Sequence, residues 1–241
     1  MKNLLKLSAT ICIVISFSCN INVGSRRING NGKLASDLRN VSSATKIKLT
    51  GDMDVIVNTG NTGVKVETDE NIIPYIKTVM NGDWLEIKTE NNLSINTKNP
   101  VRVYITTPRI TNLEVTGSGN VTTESKFDAD NKIGFSITGS GDINFNVNAP
   151  RVDANITGSG TLHIAGETRD VNINLAGSGN YEGLELKAEN AKVTIAGSGD
   201  ADLFAEENLQ VKIMGSGTVR YSGNARVDRK IMGSGSIVKA D

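Results

Sequence analysis

The feature that most constrains this chain is a Gly-Ser-Gly tripeptide that recurs seven times in its C-terminal half. The copies stand at residues 117–119, 139–141, 158–160, 177–179, 197–199, 215–217 and 233–235. Successive copies are therefore 22, 19, 19, 20, 18 and 18 residues apart. A fixed period near 20 residues is typical of stacked units that bury a continuous core. We expect residues 111–241 to form such a stack.

Apolar and polar residues alternate on both sides of each tripeptide. Two positions before its first glycine stand Val115, Ile137, Ile156, Leu175, Ile195, Ile213 and Ile231. Two positions after its second glycine stand Val121, Ile143, Leu162, Tyr181, Ala201, Val219 and Ile237. Period-two alternation indicates strands with one buried face. Glycine suits a tight corner between such strands, because it adopts backbone angles that other residues resist.

The sequence thus predicts an all-β fold, a parallel β-helix (β-solenoid) with Gly-Ser-Gly corners. The general preference of crossover connections makes it right-handed. The column of corner serines is expected to satisfy backbone groups and to bond between rungs, and so is a second polar column that lies beside it. Its members are Asn120, Asp142, Thr161, Asn180, Asp200, Thr218 and Ser236.

The N-terminal segment, residues 1–19, has the pattern of a secretory signal of the lipoprotein type. Two lysines precede an apolar run of residues 7–17, which is too short to span a membrane, and the segment ends at Cys19. We expect Cys19 to be lipidated and to attach the mature chain to the membrane; ordinary signal cleavage is the alternative. The predicted location is outside the cytoplasm, on the outer membrane, facing either the periplasm or the surface.

The remaining organisation follows from composition. Residues 20–40 are rich in Asn, Gly, Ser and Arg and are expected to be a flexible tether with at most one short strand near its end. Residues 41–241 are expected to form one solenoid domain, with a first β-rich block at 41–110 and the repeats at 111–241. Cys12 and Cys19 are the only cysteines, so no disulfide is expected in the mature chain. The 26 basic and 26 acidic residues form no basic stripe, and no nucleic-acid partner is expected.

Three features together resemble the head GIN domain family of putative autotransporter adhesins. They are the strand and glycine turn Ile47-Lys48-Leu49-Thr50-Gly51-Asp52-Met53-Asp54-Val55, the stretch from Asn71-Ile72-Ile73-Pro74-Tyr75-Ile76 to Asn81-Gly82-Asp83-Trp84-Leu85-Glu86-Ile87, and the Gly-Ser-Gly run. The resemblance covers about residues 45–238. It implies an exported or lipid-anchored protein of Gram-negative bacteria with a role in adhesion, and it implies no catalytic residues.

Catalytic and metal chemistry find little support in the residues. A calcium site needs six or more oxygen ligands, and only Asp142 and Asp200 carry carboxylates in the second polar column. We therefore assign no metal site and no cofactor. His163 is the only histidine and is expected at the surface. Since the mature chain has no second histidine and no free thiol, a transition-metal site or a cysteine–histidine nucleophile is excluded.

Polysaccharide cleavage, which other parallel β-helices perform, requires carboxylates that converge on one face. Asp153, Glu182, Glu185 and Glu189 are expected to point outward from different columns, so they fit solvated surface charge. No catalytic residue is assigned.

Two features near the C-terminus suggest how the solenoid meets other chains. The residue before each corner changes from threonine to apolar along the stack: Thr116, Thr138, Thr157, Ala176, Ala196, Met214, Met232. This flank is expected either to pack against another chain or an extra segment, or to carry scattered surface methionines, and assembly into homo-oligomers is left open. Arg229 occupies an otherwise apolar column and is expected to discourage end-to-end stacking.

The sequence therefore favours an exported, lipid-anchored envelope protein with a non-catalytic, adhesin-like role toward a glycan or a protein ligand. A polysaccharide-active β-helix enzyme and a purely structural envelope module are the alternatives.

Overall fold

The structure, a computed structural model, describes residues 26–240. This part contains 21 strands, one 3₁₀ turn at Ile73–Tyr75 and no α-helix. The strands are β1 (Arg26–Asn29), β2 (Leu34–Arg39), β3 (Lys46–Gly51), β4 (Asp54–Thr59), β5 (Gly63–Asp69), β6 (Ile76–Asn81), β7 (Trp84–Thr89), β8 (Leu93–Asn96), β9 (Arg102–Thr107), β10 (Asn112–Gly117), β11 (Asn120–Asp128), β12 (Lys132–Gly139), β13 (Asp142–Gly158), β14 (Thr161–Gly177), β15 (Asn180–Gly183), β16 (Leu186–Gly197), β17 (Ala201–Phe204), β18 (Asn208–Gly215), β19 (Thr218–Ser222), β20 (Arg226–Gly233) and β21 (Ser236–Lys239).

Strands of successive repeats pair in parallel and in register, which confirms the predicted β-solenoid. The first corner glycines align from rung to rung, as in the pairs Gly117–Gly139 and Gly139–Gly158. The strands before the corners form one wall of the solenoid, and the strands after them form the other. β13 and β14 are 17 residues long because each runs through the opposite bend without a break.

The core lies between the two walls and is built from the predicted alternating residues. Val115, Ile137 and Ile156 on one wall are at most 1% exposed, as are Val121 and Ile143 on the other. The second and third rungs also hold an aromatic cluster, in which the rings of Phe135 and Phe145 are 5.1 Å apart and those of Phe127 and Phe145 are 5.2 Å apart.

The first β-rich block continues the same stack. β3 and β4 pair in parallel with β10 and β11, and Gly51 aligns with Gly117. The turn Gly51-Asp52-Met53 therefore forms an eighth corner without the Gly-Ser-Gly sequence. β7 and β9 add one more parallel layer on the N-terminal side of β3 and β4.

The N-terminal end of the stack is capped by antiparallel strands. β6 pairs with β7, β5 pairs with β9, and β2 pairs with β5 as the outermost strand. Ile72 and Ile76, at most 1% exposed, close the core beneath this cap. Residues 26–40, assigned above to the tether, contain β1 and β2, because backbone pairing orders a strand whatever the polarity of its side chains. β1 pairs in parallel with β8.

The C-terminal end is less covered. Among the residues that the structure describes, β20 pairs only with β18 and β21 only with β19. Ile231 is 37% exposed, although its counterpart in the rung above, Ile213, is fully buried. Arg229 aligns with the buried Val211 but is itself exposed.

Candidate binding surface

The corners owe their two glycines to two different physical causes. Gly177 has a φ of +120°, a conformation that side-chain-bearing residues rarely adopt. Gly179 needs space instead, since a Cβ there would lie 2.6 Å from the carbonyl oxygen of Gly160 and 2.6 Å from Cγ2 of Ile156. The conformation of the backbone and the space at the corner therefore explain both glycines, and no binding role is needed to account for them.

The corner serines form an exposed ridge of hydroxyl groups. Their backbone amides bond to the preceding rung, as where Ser178 N donates to Gly158 O at 2.9 Å. Their side-chain hydroxyls form no hydrogen bond within residues 26–240, in contrast to the expected bonding along this column. The second polar column does bond between rungs. Asp142 and Asp200 accept hydrogen bonds from the backbone amides of Thr161 and Thr218, each at 2.8 Å.

The outer surface of the wall that precedes the corners carries ladders of polar side chains, and we call it the ladder face. Asn174 Nδ2 donates to Asn155 Oδ1 at 3.0 Å, and Asn172 Nδ2 donates to Asp153 Oδ1 at 2.9 Å. These pairs sit on directly paired positions of β13 and β14. Because each rung repeats the same positions, donors and acceptors recur along the solenoid axis at about 4.8 Å.

A shallow groove runs along one side of the ladder face, where its strands begin. Asn190 Nδ2 donates to Asp170 Oδ1 at 3.1 Å, and Asn208 Nδ2 donates to Asn190 Oδ1 at 2.8 Å. Arg151 and Arg226 lie along the same groove, whose volume is about 630 Å³. The groove thus offers amides, two carboxylates, a lysine ammonium group and two guanidinium groups to a polar ligand.

Asp153 is the most strongly bonded carboxylate of the ladder face. Burial alone raises its pKa, but hydrogen bonds from Asn172, Arg151 and Lys132 outweigh that effect and lower the pKa. A general acid for glycoside cleavage needs a raised pKa. Asp153 is therefore suited to accept hydrogen bonds as a permanent anion and not to donate a proton.

The opposite wall, whose outer surface we call the second face, carries the predicted residues His163 and Glu182 and one further ion pair. His163 lies on its outer surface with Nδ1 3.3 Å from Oε2 of Glu182. Asp202 and Arg220 form a two-pronged ion pair, with Nε–Oδ1 at 2.7 Å and Nη2–Oδ2 at 2.9 Å. Asp153 and Glu182 thus lie on different walls, and the structure does not bring them together.

A second groove, of about 560 Å³, lies at the bend opposite the Gly-Ser-Gly corners. Glu167, Glu189 and Glu206 line it together with Arg169, and Lys187 Nζ lies 4.2 Å from the ring centroid of Phe204. Within residues 26–240, no group of three or more His, Cys, Asp or Glu side chains is arranged to hold a metal ion.

The other predicted positions are distributed as follows. Met214 and Met232 lie beside the corners of the last two rungs, and Met232 is 44% exposed. Cys19, the predicted lipidation site, lies outside the described residues. The ladder asparagines were not predicted from the sequence, although Asn155 and Asn174, and Asn190 and Asn208, recur at the repeat spacing.

Comparison with known families decides the assignment. The sequence profile of the family described as "Putative auto-transporter adhesin, head GIN domain" matches residues 44–225. The chain belongs to this family. The match confirms the resemblance, and it spans the eighth corner at Gly51 as well as most of the Gly-Ser-Gly repeats.

Solved structures share the fold of this head GIN domain protein. A putative adhesin from Bacteroides fragilis is 20% identical with a TM-score of 0.82, and the match covers 88% of this chain and 100% of the other. A structure described as a putative lipid binding protein from Parabacteroides distasonis is 24% identical with a TM-score of 0.76, covering 90% and 100%. A putative adhesin from Parabacteroides merdae is 19% identical with a TM-score of 0.66, covering 90% and 100%. No curated protein gives a significant match.

Proposed function

We propose that this head GIN domain protein is exported, attached to the outer membrane through a lipid on Cys19, and binds an extended polar ligand on its ladder face without catalysing a reaction. The proposal rests on the alignment of polar side chains at directly paired positions of β13 and β14. Asp153, Asn155, Asn172 and Asn174 hold one another in fixed orientations through paired hydrogen bonds. A ligand that meets these groups therefore finds them already ordered, which lowers the entropic cost of binding.

A glycan is the ligand that fits this surface best. Its hydroxyl groups can donate to the carboxylate and amide oxygens and accept from the amide, lysine and arginine nitrogens of the ladder face. A protein ligand is the other partner that the sequence suggested.

The non-catalytic part of the proposal rests on where the carboxylates lie. Asp153 and Glu182 occupy different walls, and the hydrogen bonds to Asp153 stabilise its charged form. Glu167, Glu189 and Glu206 line one groove, and this groove is a place to test the alternative of a polysaccharide-active enzyme.

Export and anchoring rest on residues 1–19 and on family membership. The family description names an autotransporter adhesin, which is consistent with a place in the cell envelope. Within residues 26–240 there is no helix that is long and apolar enough to span a membrane.

Binding to a glycan array tests the proposal directly. A double variant that places lysine at Asn155 and Asn174 disrupts the ladder face, and the matched control places lysine at the exposed Asn144 and Asn146 of the second face. We expect the ladder variant to lose the glycans that the wild-type protein retains and the control to keep them. Equal loss in both, no retention by the wild type, or release of shorter sugars from acidic polysaccharides would each contradict the proposal.

A further inference from the structure

The capped N-terminal end of the solenoid carries the most exposed large apolar side chains of the described residues. Leu38 is 81% exposed and Leu34 is 58% exposed. Both lie on β2, the outermost strand of the cap, and Leu38 pairs with Lys65 of β5. A charged residue on an edge strand discourages contact with other surfaces, whereas leucine favours contact with apolar surroundings.

Basic side chains without a counter-ion lie on β1, the strand that precedes β2 in the chain. Arg26 and Arg27 on β1 are exposed, and neither forms an ion pair within residues 26–240. Hydrogen bonds fix this segment to the cap, because Asn71 Nδ2 donates to Asn29 O at 2.9 Å and Lys33 Nζ lies 2.9 Å from Glu70 Oε1. The apolar and the basic groups therefore belong to one end of the molecule. Such a combination suits a surface with an apolar interior and anionic headgroups.

The chain itself limits where this end can be. Cys19 precedes Arg26 by seven residues, which span at most about 25 Å when fully extended. The eight stacked corners rise about 34 Å at about 4.8 Å per step. A lipid on Cys19 therefore keeps β1 and β2 close to the bilayer, whereas the last rung lies beyond the reach of this segment when the solenoid stands upright.

From these observations we infer that the N-terminal cap docks on an anionic phospholipid surface, with Leu34 and Leu38 inserted among the lipid chains and Arg26 and Arg27 against the headgroups. The inference rests on the proposed anchor at Cys19. Because Leu38 shares the outer surface of the second wall with Lys65 and Tyr104, the N-terminal end meets the bilayer with that wall tilted toward it. The open C-terminal rung is then farthest from the membrane, and the ladder face stays accessible to ligands.

Single-cysteine probes test this orientation on the full-length protein after export and lipidation. Cys12 and Cys19 are the only cysteines of the chain, so Leu38→Cys introduces a unique free thiol once the signal is removed and Cys19 is lipidated. The thiol is labelled with a small fluorophore, and the protein is reconstituted into anionic vesicles with and without brominated acyl chains. Leu184→Cys, 40% exposed on the side, and Val238→Cys, 47% exposed at the far end, are the matched controls.

We expect brominated lipids to quench the probe at residue 38 and to leave the probes at residues 184 and 238 unaffected. Quenching at residues 38 and 184 alike would mean that the solenoid lies on its side, and no quenching at residue 38 would mean that the cap stays off the bilayer. Blue-shifted fluorescence emission from the probe at residue 38 in the absence of vesicles would mean that protein covers this position. Each of these three results overturns the inference. Flotation of the protein with the vesicles is scored separately, and its absence would refute the anchor itself.

Discussion

Arg39 and Ile76 connect the two walls of the solenoid across its N-terminal end. The Nη1 group of Arg39, at the end of β2, donates a hydrogen bond of 2.6 Å to the carbonyl oxygen of Ile76, at the start of β6. Nη2 donates to Ile73 O at 3.1 Å, and Asp37 Oδ2 holds Nε at 3.0 Å. The guanidinium group thus satisfies carbonyl groups at the turn where the cap closes.

Replacing Arg39 by methionine should destabilise the protein by about 1.5–3 kcal/mol, the usual range for hydrogen bonds to a charged group. The side chain is only 17% exposed, so solvent screens its contacts weakly. The free energy of unfolding from urea titrations measures the effect. Arg169→Met is the control, because that side chain is 64% exposed and, within residues 26–240, pairs only with Asp170. An equal effect of both substitutions would show that Arg39 does not hold the cap.

The corner glycines should not tolerate a side chain, whereas the corner serine should tolerate replacement by alanine. Gly179→Ala pushes a methyl group against Gly160 O and Ile156, and we expect a loss of about 2 kcal/mol or more. Ser178→Ala should change stability by less than about 0.5 kcal/mol, since the exposed hydroxyl forms no hydrogen bond within the described residues. Gly63→Ala is the control in open space, where the nearest atom lies 4.0 Å away. Thermal and urea unfolding measure these changes. If Ser178→Ala lowered the free energy of unfolding as much as Gly179→Ala, the serine hydroxyl group would be needed for the corner and the prediction would be wrong.

The solenoid could be predicted because its signals are local and repeated. Val115 and Val121 flank a corner at fixed offsets, and the same offsets recur in every later rung. Gly51 was a harder case, since its corner lacks serine and a second glycine. Ile47, Leu49 and Val55 nevertheless occupy the template positions, so aligning the flanks instead of the tripeptide would have found it.

The cap and the ladder face could not be predicted in the same way. Arg39 reaches residues 34 to 39 positions away in the sequence, and no periodic pattern connects them. The hydrogen bond between Asn155 and Asn174 also depends on register, because a shift of one residue would turn one side chain to the other surface of the strand. The nature of the ligand is a further step that the fold does not supply.

Asp69 makes the cap sensitive to acid. Its side chain is fully buried and accepts hydrogen bonds from Lys98 N at 2.7 Å and Asn99 Nδ2 at 2.6 Å. Burial alone raises the pKa of Asp69, but these bonds and others from backbone amides lower it below its ordinary value. A carboxyl group whose pKa is lower in the folded state stabilises the fold above its unfolded pKa of about 3.9, and the stabilisation is lost as the pH falls through the folded pKa.

Asp69→Asn should therefore be less stable than the wild type at pH 7, and the difference should shrink as the pH falls below about 4. Urea titrations at several pH values measure it. Asp52→Asn is the control, because Asp52 is exposed and forms no hydrogen bond or ion pair within residues 26–240. A difference between the wild type and Asp69→Asn that stayed constant down to pH 2 would refute the role of the charge.

Tyr181 places a hydroxyl group inside the apolar core between the two walls. Its side chain is 1% exposed, and its hydroxyl group has no hydrogen-bond partner within the described residues. Gly183 leaves room for the ring, since a Cβ there would lie 2.6 Å from Cζ of Tyr181. An unsatisfied buried hydroxyl costs about 1–3 kcal/mol, so the fold accepts the tyrosine at a loss of stability.

Tyr181→Phe should therefore raise the free energy of unfolding by about 1 kcal/mol at pH 7. Burial also raises the pKa of Tyr181 in the folded state. The unfolded chain can ionise this residue above about pH 10 while the folded chain cannot, so the advantage of phenylalanine should grow there. Tyr104→Phe, which removes a partly buried hydroxyl 3.4 Å from Glu67, serves as the control and should change stability little. A less stable Tyr181→Phe variant would contradict this prediction, because it would mean that the hydroxyl group forms a hydrogen bond in the folded state.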